Sequence, residues 1–226
     1  MSHFPSSIPN LPILITLLSP PTNASSSTTP DTPHHPLLSS EDAWPLRAVL
    51  LLWLALLLTV PFNLAALSSD QEIHPRISNP AFDTLFAHPT SELAARVVLL
   101  TLPLLQRPGN EGAYAALVLA RLYSRSDAVH SLPGFLEWAK TELEEGDRDT
   151  EVSFVASLFE LLAVLPGLLA AEHLQVLAGF MDGALLPHLR GSRTAAGSGL
   201  VRKLAVKARG RWWIARLGHR QSHGEL

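Results

Sequence analysis

From Ala48 to Leu58 the chain is aliphatic apart from Trp53, and no charged residue lies between Arg47 and Asp70. A run this apolar has two physical outcomes: it spans a membrane, or it packs as a helix among other helices. A span needs about 20 apolar residues. The run reaches Pro61 with fewer, and only by counting on through Phe62, Asn63, Leu64 and Leu67 does its length become marginally sufficient. Its flanks resemble those of a span poorly. Arg47 is the only nearby cation, no basic cluster marks one side, and no aromatic belt brackets both ends. The residues therefore favour a buried helix and leave the span open.

The rest of the chain must supply that helix with neighbours. Hydrophobic residues make up 47% of the 226 and charged residues 16%, enough apolar material for a sizeable core. With a formal net charge of -3, bulk electrostatics draw the chain toward neither nucleic acid nor anionic lipid. The absence of cysteine excludes disulfides, thiol catalysis and cysteine-ligated zinc. Residues 11–18 are apolar, yet no Lys or Arg precedes them and no small-x-small cleavage site follows, so they predict a short helix and not a signal peptide. Residues 19–40 are rich in Pro, Ser and Thr. Such a composition buries too little apolar surface to offset its ordering entropy, which predicts a disordered loop. Within it, the sequon at Asn23 is of a kind that arises often by chance. The expected organisation is a short helix over 1–18, this loop over 19–40, a helical-repeat domain over 41–207, and a basic and aromatic tail over 208–226.

Inside the repeat region the period is helical, and no segment alternates convincingly with period two. Ser91 can cap a helix over 92–106, and Arg107, Pro108, Gly109 and Asn110 form a turn. Helices are predicted over 111–125, from Ser131 to Glu145, over 151–165, over 169–189 and over 199–217. Leu93, Val97, Leu100 and Leu104 form one apolar stripe, and Ala94, Val98, Thr101 and Leu105 a second. Val152, Val155, Phe159 and Leu162 lie on one side of the 151–165 helix, and Phe154, Leu158, Leu161 and Leu165 on another. Two stripes on one helix mean burial on two sides. Helical hairpins open near residues 91, 131 and 169, at intervals of roughly 40 residues, the period of HEAT and armadillo repeats. The predicted fold is all-α: a right-handed solenoid of HEAT/armadillo-like helical hairpins with a disordered loop near its start.

Catalytic chemistry finds little support. None of the ten histidines sits in a ligand pattern; His34 and His35 lie in the Pro-rich loop, and His173 belongs to no HExxH. There is no GxSxG elbow and no GxxxxGK[ST] or GxGxxG phosphate loop. Glu144, Glu145, Asp147 and Asp149 gather at a helix end and turn, where a solvated charged loop is the plain reading. Solenoids present extended surfaces and rarely hold catalytic clefts, so a binding protein is expected, with no enzyme activity of its own and no cofactor. The one charge cluster is Arg202, Lys203, Lys207, Arg209 and Arg211, followed by Trp212 and Trp213. It suits a solvated helix face or an acidic protein partner, and less well nucleic acid or lipid. Arg202, Lys203 and Lys207 are the candidate partner-binding residues.

Four segments carry a family resemblance. Residues 44–67, with the LLLWL core and the following PFNLAAL, resemble the signature helix of the tubulin-folding cofactor D family; Trp44, Arg47, residues 50–54, Pro61, Phe62 and Leu64 match, and Asn63 stands where Asp is usual. AYAALVLARLYSRSD (113–127) resembles the family's AAxLLxRLxxRPD segment, with Ser126 in place of Pro. Phe135, Leu136, Glu137, Trp138 and Ala139 resemble its FLDWA-like helix, and GLVRKLAVK (199–207) its LLRKLxVK segment. The segments keep the family's order. The resemblance implies that the aliphatic helix is buried and that the protein is a post-chaperonin tubulin-folding factor. Such a factor captures β-tubulin, supports assembly of the αβ heterodimer, and works with cofactors C and E and an Arf-like small GTPase. With cofactor C it stimulates GTP hydrolysis by tubulin. It also implies a cytoplasmic location at the microtubule cytoskeleton, and a longer parent chain of which these residues form a fragment, the family pattern failing after Lys207. A single-span membrane protein with a helical scaffold, and a HEAT scaffold unrelated to tubulin, are the alternatives.

Overall fold

A computed structural model describes residues 10–18, 43–67, 85–86, 90–145 and 150–222. The Pro/Ser/Thr-rich loop over 19–40, the sequon, His34, His35, Asp147 and Asp149 lie outside the described residues. The described helices are α1 (Asn10–Leu18), α2 (Trp44–Leu57), α3 (Glu92–Leu105), α4 (Asn110–Tyr123), α5 (Leu132–Glu145), α6 (Glu151–Val164), α7 (Ala171–Phe180), α8 (Leu186–Gly191), α9 (Arg193–Gly197) and α10 (Gly199–Ser222). Short 3-10 turns cover Leu64–Leu67, Val129–Ser131 and Leu165–Gly167. No strand occurs among the described residues.

Local chemistry sets most of these boundaries. The Ser91 hydroxyl accepts from the Ala94 amide at 3.3 Å and caps α3. Gly109, at φ 83°, supplies the left-handed residue that turns the chain from α3 into α4. Between α7 and α8 the helix widens into a π-turn over Met181–Leu185. Pro187 follows directly in α8; with no N–H to donate back along the helix, it breaks the regular ladder, and the wider turn accommodates the break. The short α9 was not foreseen. It begins where the Ser192 hydroxyl accepts from the Ala195 amide at 3.0 Å.

The helices stack in two layers. α2 packs on α4, α4 on α6, and α6 on α10, giving one continuous row. α1 and α3 pack on this row from the same hairpins, and α5 leans on α7 and the π-turn. This is the hairpin array expected from the double stripes. Both stripes of α3 are buried, and of the residues in the two α6 stripes only Val152 is partly exposed, because α6 has α4 on one side and α10 on the other. Thr101, a polar residue in an apolar stripe, donates its hydroxyl back to the carbonyls of Val97 and Val98 and so is buried without an open hydrogen bond. The row is tight where α4 meets α6. A Cβ on Gly112 would collide with Ser157 Oγ and lie 3.1 Å from the Arg107 carbonyl, so only glycine fits that crossing. Tyr123, Phe135, Trp138 and Phe154 form a chain of ring contacts at 5.3, 5.8 and 5.8 Å that joins α4, α5 and α6.

The aliphatic helix differs from expectation in one respect. Arg47, Ala48, Leu51, Leu54, Ala55, Leu57 and Leu58 are buried, but Leu46, Val49, Leu52 and Leu56 are exposed and Trp53 is only half-buried. The uniform apolarity of the run predicts a helix buried among other helices all round. Among the described residues α2 ends the row, with α4 on one side and no helix on the other. Its 14 residues extend about 21 Å, short of the roughly 30 Å hydrocarbon core of a bilayer. No described helix is long and apolar enough to cross a membrane.

Candidate interaction surfaces

Two polar nodes hold the first hairpins together. At the start of α2, Arg47 donates Nε to Glu111 Oε1 at 2.5 Å, with both side chains almost wholly buried. Glu111 sits in the first turn of α4, where the helix dipole favours a carboxylate. Arg107 approaches its other oxygen at 3.6 Å. At the far end of α2, Arg125 reaches back from the turn after α4. Its Nη1 donates to the carbonyls of Leu58 and Val60 at 2.9 Å each, and its Nη2 donates to that of Phe62. These carbonyls lie at the end of α2 and in the loop after it, where that of Val60 also accepts the Phe62 amide at 2.9 Å, and a cation there also meets the negative end of the helix dipole. Asp127 holds the guanidinium through Oδ1 at 2.9 Å and Oδ2 at 3.0 Å, and Oδ2 accepts the Leu64 amide at 2.9 Å. The Phe62 ring lies under the guanidinium, 5.0 Å from its centre. Burial raises the pKa of the Asp127 carboxyl, but the bonds from Arg125 and Leu64 outweigh it and hold the group below the usual carboxylate range.

This second node gives two sequence motifs a physical role. PFNL and RLYSRSD lie some 60 residues apart in sequence and meet in one hydrogen-bonded cluster. Asn63, the departure from Asp, accepts the Ala65 amide at 2.9 Å through Oδ1, which is the capping job that an Asp oxygen does. Ser126, the departure from Pro, is exposed.

Between α5, α6 and α8 lies a cleft of about 630 Å³ whose lining includes Gln106, Glu142, Glu151, Phe154 and His188. Glu151 accepts from His188 Nε2 at 2.8 Å and from the Thr194 hydroxyl. Burial raises the Glu151 pKa, and hydrogen bonds from Ser192, Thr194 and His188 bring it below the usual range. These contacts fasten α8 and α9 to the start of α6. Glu144 and Glu145 are exposed at the end of α5. Among the described residues no three His, Asp or Glu converge as a metal site would require.

The three candidate partner-binding residues all fall on α10. Val201, Leu204, Ala205, Ala208 and Trp212 are buried on its inner face. Arg202 and Lys203 project from the exposed side, whereas Lys207 is drawn to α6, its Nζ 2.8 Å from Glu160 Oε2. The helix crosses Lys207 and Ala208 without interruption, so the change of composition there alters surface chemistry and not backbone. Sequence reasoning missed the outward pattern that follows. Val206, Trp213, Ile214 and Leu217 are exposed, and the Arg216 guanidinium lies over the rings of Trp212 and Trp213 at 5.2 and 5.7 Å.

The family model described as tubulin-specific chaperone D-like, ARM repeat, matches residues 1–143. The chain belongs to this family. No curated protein and no solved structure matches it significantly. The chaperone D-like match takes in α1 to nearly the end of α5, and with them both polar nodes and the Phe135–Trp138 ring contact. The two-layer array is thus an armadillo-type solenoid. Gly199, Arg202, Lys203 and Lys207 lie beyond the matched residues, so the fourth resembling segment rests on its own residues alone.

Proposed function

We propose that this chain acts as a tubulin-folding cofactor that binds β-tubulin after its release from the chaperonin and supports assembly of the αβ heterodimer. The observation that carries this reading is the chaperone D-like family match over residues 1–143. A row of helices pinned at its hairpin ends offers an extended, stiff surface, which suits capture of a folded client by shape. In this reading the protein works with cofactors C and E and an Arf-like small GTPase in the cytoplasm, at the microtubule cytoskeleton. Together with cofactor C it accelerates GTP hydrolysis on tubulin, the nucleotide being held by tubulin. Arg202 and Lys203 are proposed as partner contacts, with Lys207 serving mainly to tie α10 to α6.

Affinity purification of the tagged chain from cell extract tests the proposal. β-Tubulin should be enriched above the level recovered with an unrelated HEAT-repeat protein, and cofactor C with the chain should raise tubulin GTP turnover. Recovery of β-tubulin at the level of the unrelated protein would count against it.

A further inference from the structure

Among the described residues α10 stands at the other end of the row from α2, and its outer face differs from their other surfaces in charge. Seven of the chain's 17 Lys and Arg lie in this helix, which contains no Asp or Glu; outside it, ten Lys and Arg face all 20 Asp and Glu. Down the middle of the outer face run Val206, Gly210, Trp213 and Leu217, spaced four, three and four residues apart. This is the spacing of a seam that meets a second helix. Val206 is 74% exposed, and Ile214 beside the seam 66%. Arg202, Arg209 and Arg216 flank the seam on one side at seven-residue intervals, and Lys207 and Arg211 on the other. Arg202, Arg209 and Arg211 are exposed and make no ion pair among the described residues. At Gly210 a Cβ would meet nothing within 4 Å, which leaves a notch between Val206 and Trp213 where a partner side chain can approach the backbone.

We propose that the outer face of α10 is a docking surface for an acidic amphipathic helix of a partner protein. The partner's apolar residues fill the Val206–Gly210–Trp213–Leu217 seam, and its carboxylates pair with the flanking arginines. Charge complementarity selects this occupant. A second copy brings only its acidic body: its α5, the most acidic helix, turns Glu137, Glu144 and Glu145 outward with no apolar seam beside them. A bilayer is disfavoured because the inner face of α10 is sealed against the row as far as Trp212, so the helix is not free to lie in an interface along its length. The acidic remainder of the protein would also be repelled by anionic lipid. The inference stands independently of the β-tubulin assignment.

The test uses the full chain and three probes. These are a labelled synthetic helix with leucines on a three-four seam flanked by glutamates, the same helix with lysines in place of the glutamates, and phosphatidylcholine vesicles containing phosphatidylserine. The acidic helix should bind with a steep salt dependence, and the basic one should not. Trp213→Ala and Arg209→Glu, both at exposed positions, should each weaken binding about tenfold. Gly210→Leu should raise the melting temperature, since leucine is the better helix former, while weakening binding, a divergence that mere damage to the fold does not produce. Equal binding of both helices, preference for the vesicles, or unchanged affinity in Gly210→Leu would overturn the proposal. Self-association abolished by Trp213→Ala would overturn it in favour of a second copy.

Discussion

The Arg47–Glu111 pair makes an asymmetric prediction. The two side chains are 6% and 9% exposed and 2.5 Å apart, so neither charge has much water to fall back on. Removing one partner of a buried pair leaves an uncompensated charge and costs about 3–5 kcal/mol. Here the two deletions differ. Glu111→Leu removes the carboxylate shared by Arg47 and Arg107 and should cost about 4–5 kcal/mol, lowering the melting temperature by roughly 8–20 °C for a domain of this size. Arg47→Met leaves Glu111 with Arg107 at 3.6 Å, whose side chain is 44% exposed and can move closer. It should cost less, about 1–3 kcal/mol. The double variant Arg47→Met/Glu111→Leu replaces two desolvated charges with apolar groups and should return to within about 1 kcal/mol of the parent. Urea denaturation followed by helical circular dichroism on the four proteins closes the cycle. A double variant as unstable as Glu111→Leu, or equal costs for the two single changes, would refute the account of a desolvated pair with one reserve partner.

Three further outcomes follow from packing and charge. Gly112→Ala should destabilise the protein by about 1–3 kcal/mol by thermal melting, and Ser157→Ala should recover part of the loss by removing the atom struck. Leu54→Asp, at a fully buried position of α2, should cost several kcal/mol and abolish the cooperative transition, whereas Leu56→Asp on the exposed side should be nearly neutral; equal damage would show that the outer side of α2 is covered. Asp127 has a folded pKa below its unfolded value, so its contribution is complete above about pH 4 and is lost as pH falls through the lower folded value. Asp127→Asn should therefore flatten the acid limb of a stability-against-pH curve without changing its shape above pH 5.

The sequence revealed the parts of the fold that depend on neighbours along the chain. The double stripes of α3 and α6 are local periodicities, and Ser91, Pro108 and Gly109 are local punctuation, so those helices and their sandwiched packing were legible. Which helix lacks a neighbour is not a local property. Val49 and Leu56 are as apolar as Leu51 and Leu54, and only the position of α2 in the row decides which pair faces outward. The polar nodes escaped notice for a related reason. Arg47 and Glu111 are 64 residues apart, and neither is unusual in its own helix. The motif residues Arg125, Asp127 and Phe62 could be matched as a pattern, but their shared task of fastening the carbonyls at and after the end of α2 needed coordinates. In α10 the three basic residues were visible, while the seam between them was obscured by reading Gly210, Trp212 and Trp213 as the failure of an apolar pattern.

A division of labour between the faces of the row follows from these contacts. Glu111 joins α4 to α2, Gly112 against Ser157 joins α4 to α6, and Glu160 with Lys207 joins α6 to α10. Each joint sits on a surface turned toward the next helix and leaves the outward surfaces free of structural duty. Those outward surfaces are chemically opposite at the two ends. α2 presents leucine, valine and tryptophan with no charge, its one arginine being turned inward to Glu111. α10 presents a similar apolar seam between rows of arginine and lysine. An uncharged seam accepts apolar surface with little regard to partner or register, whereas a seam between charges rejects partners whose carboxylates fall out of place. On the docking proposed for α10, selectivity resides at that end of the row, beyond the residues that the family match covers.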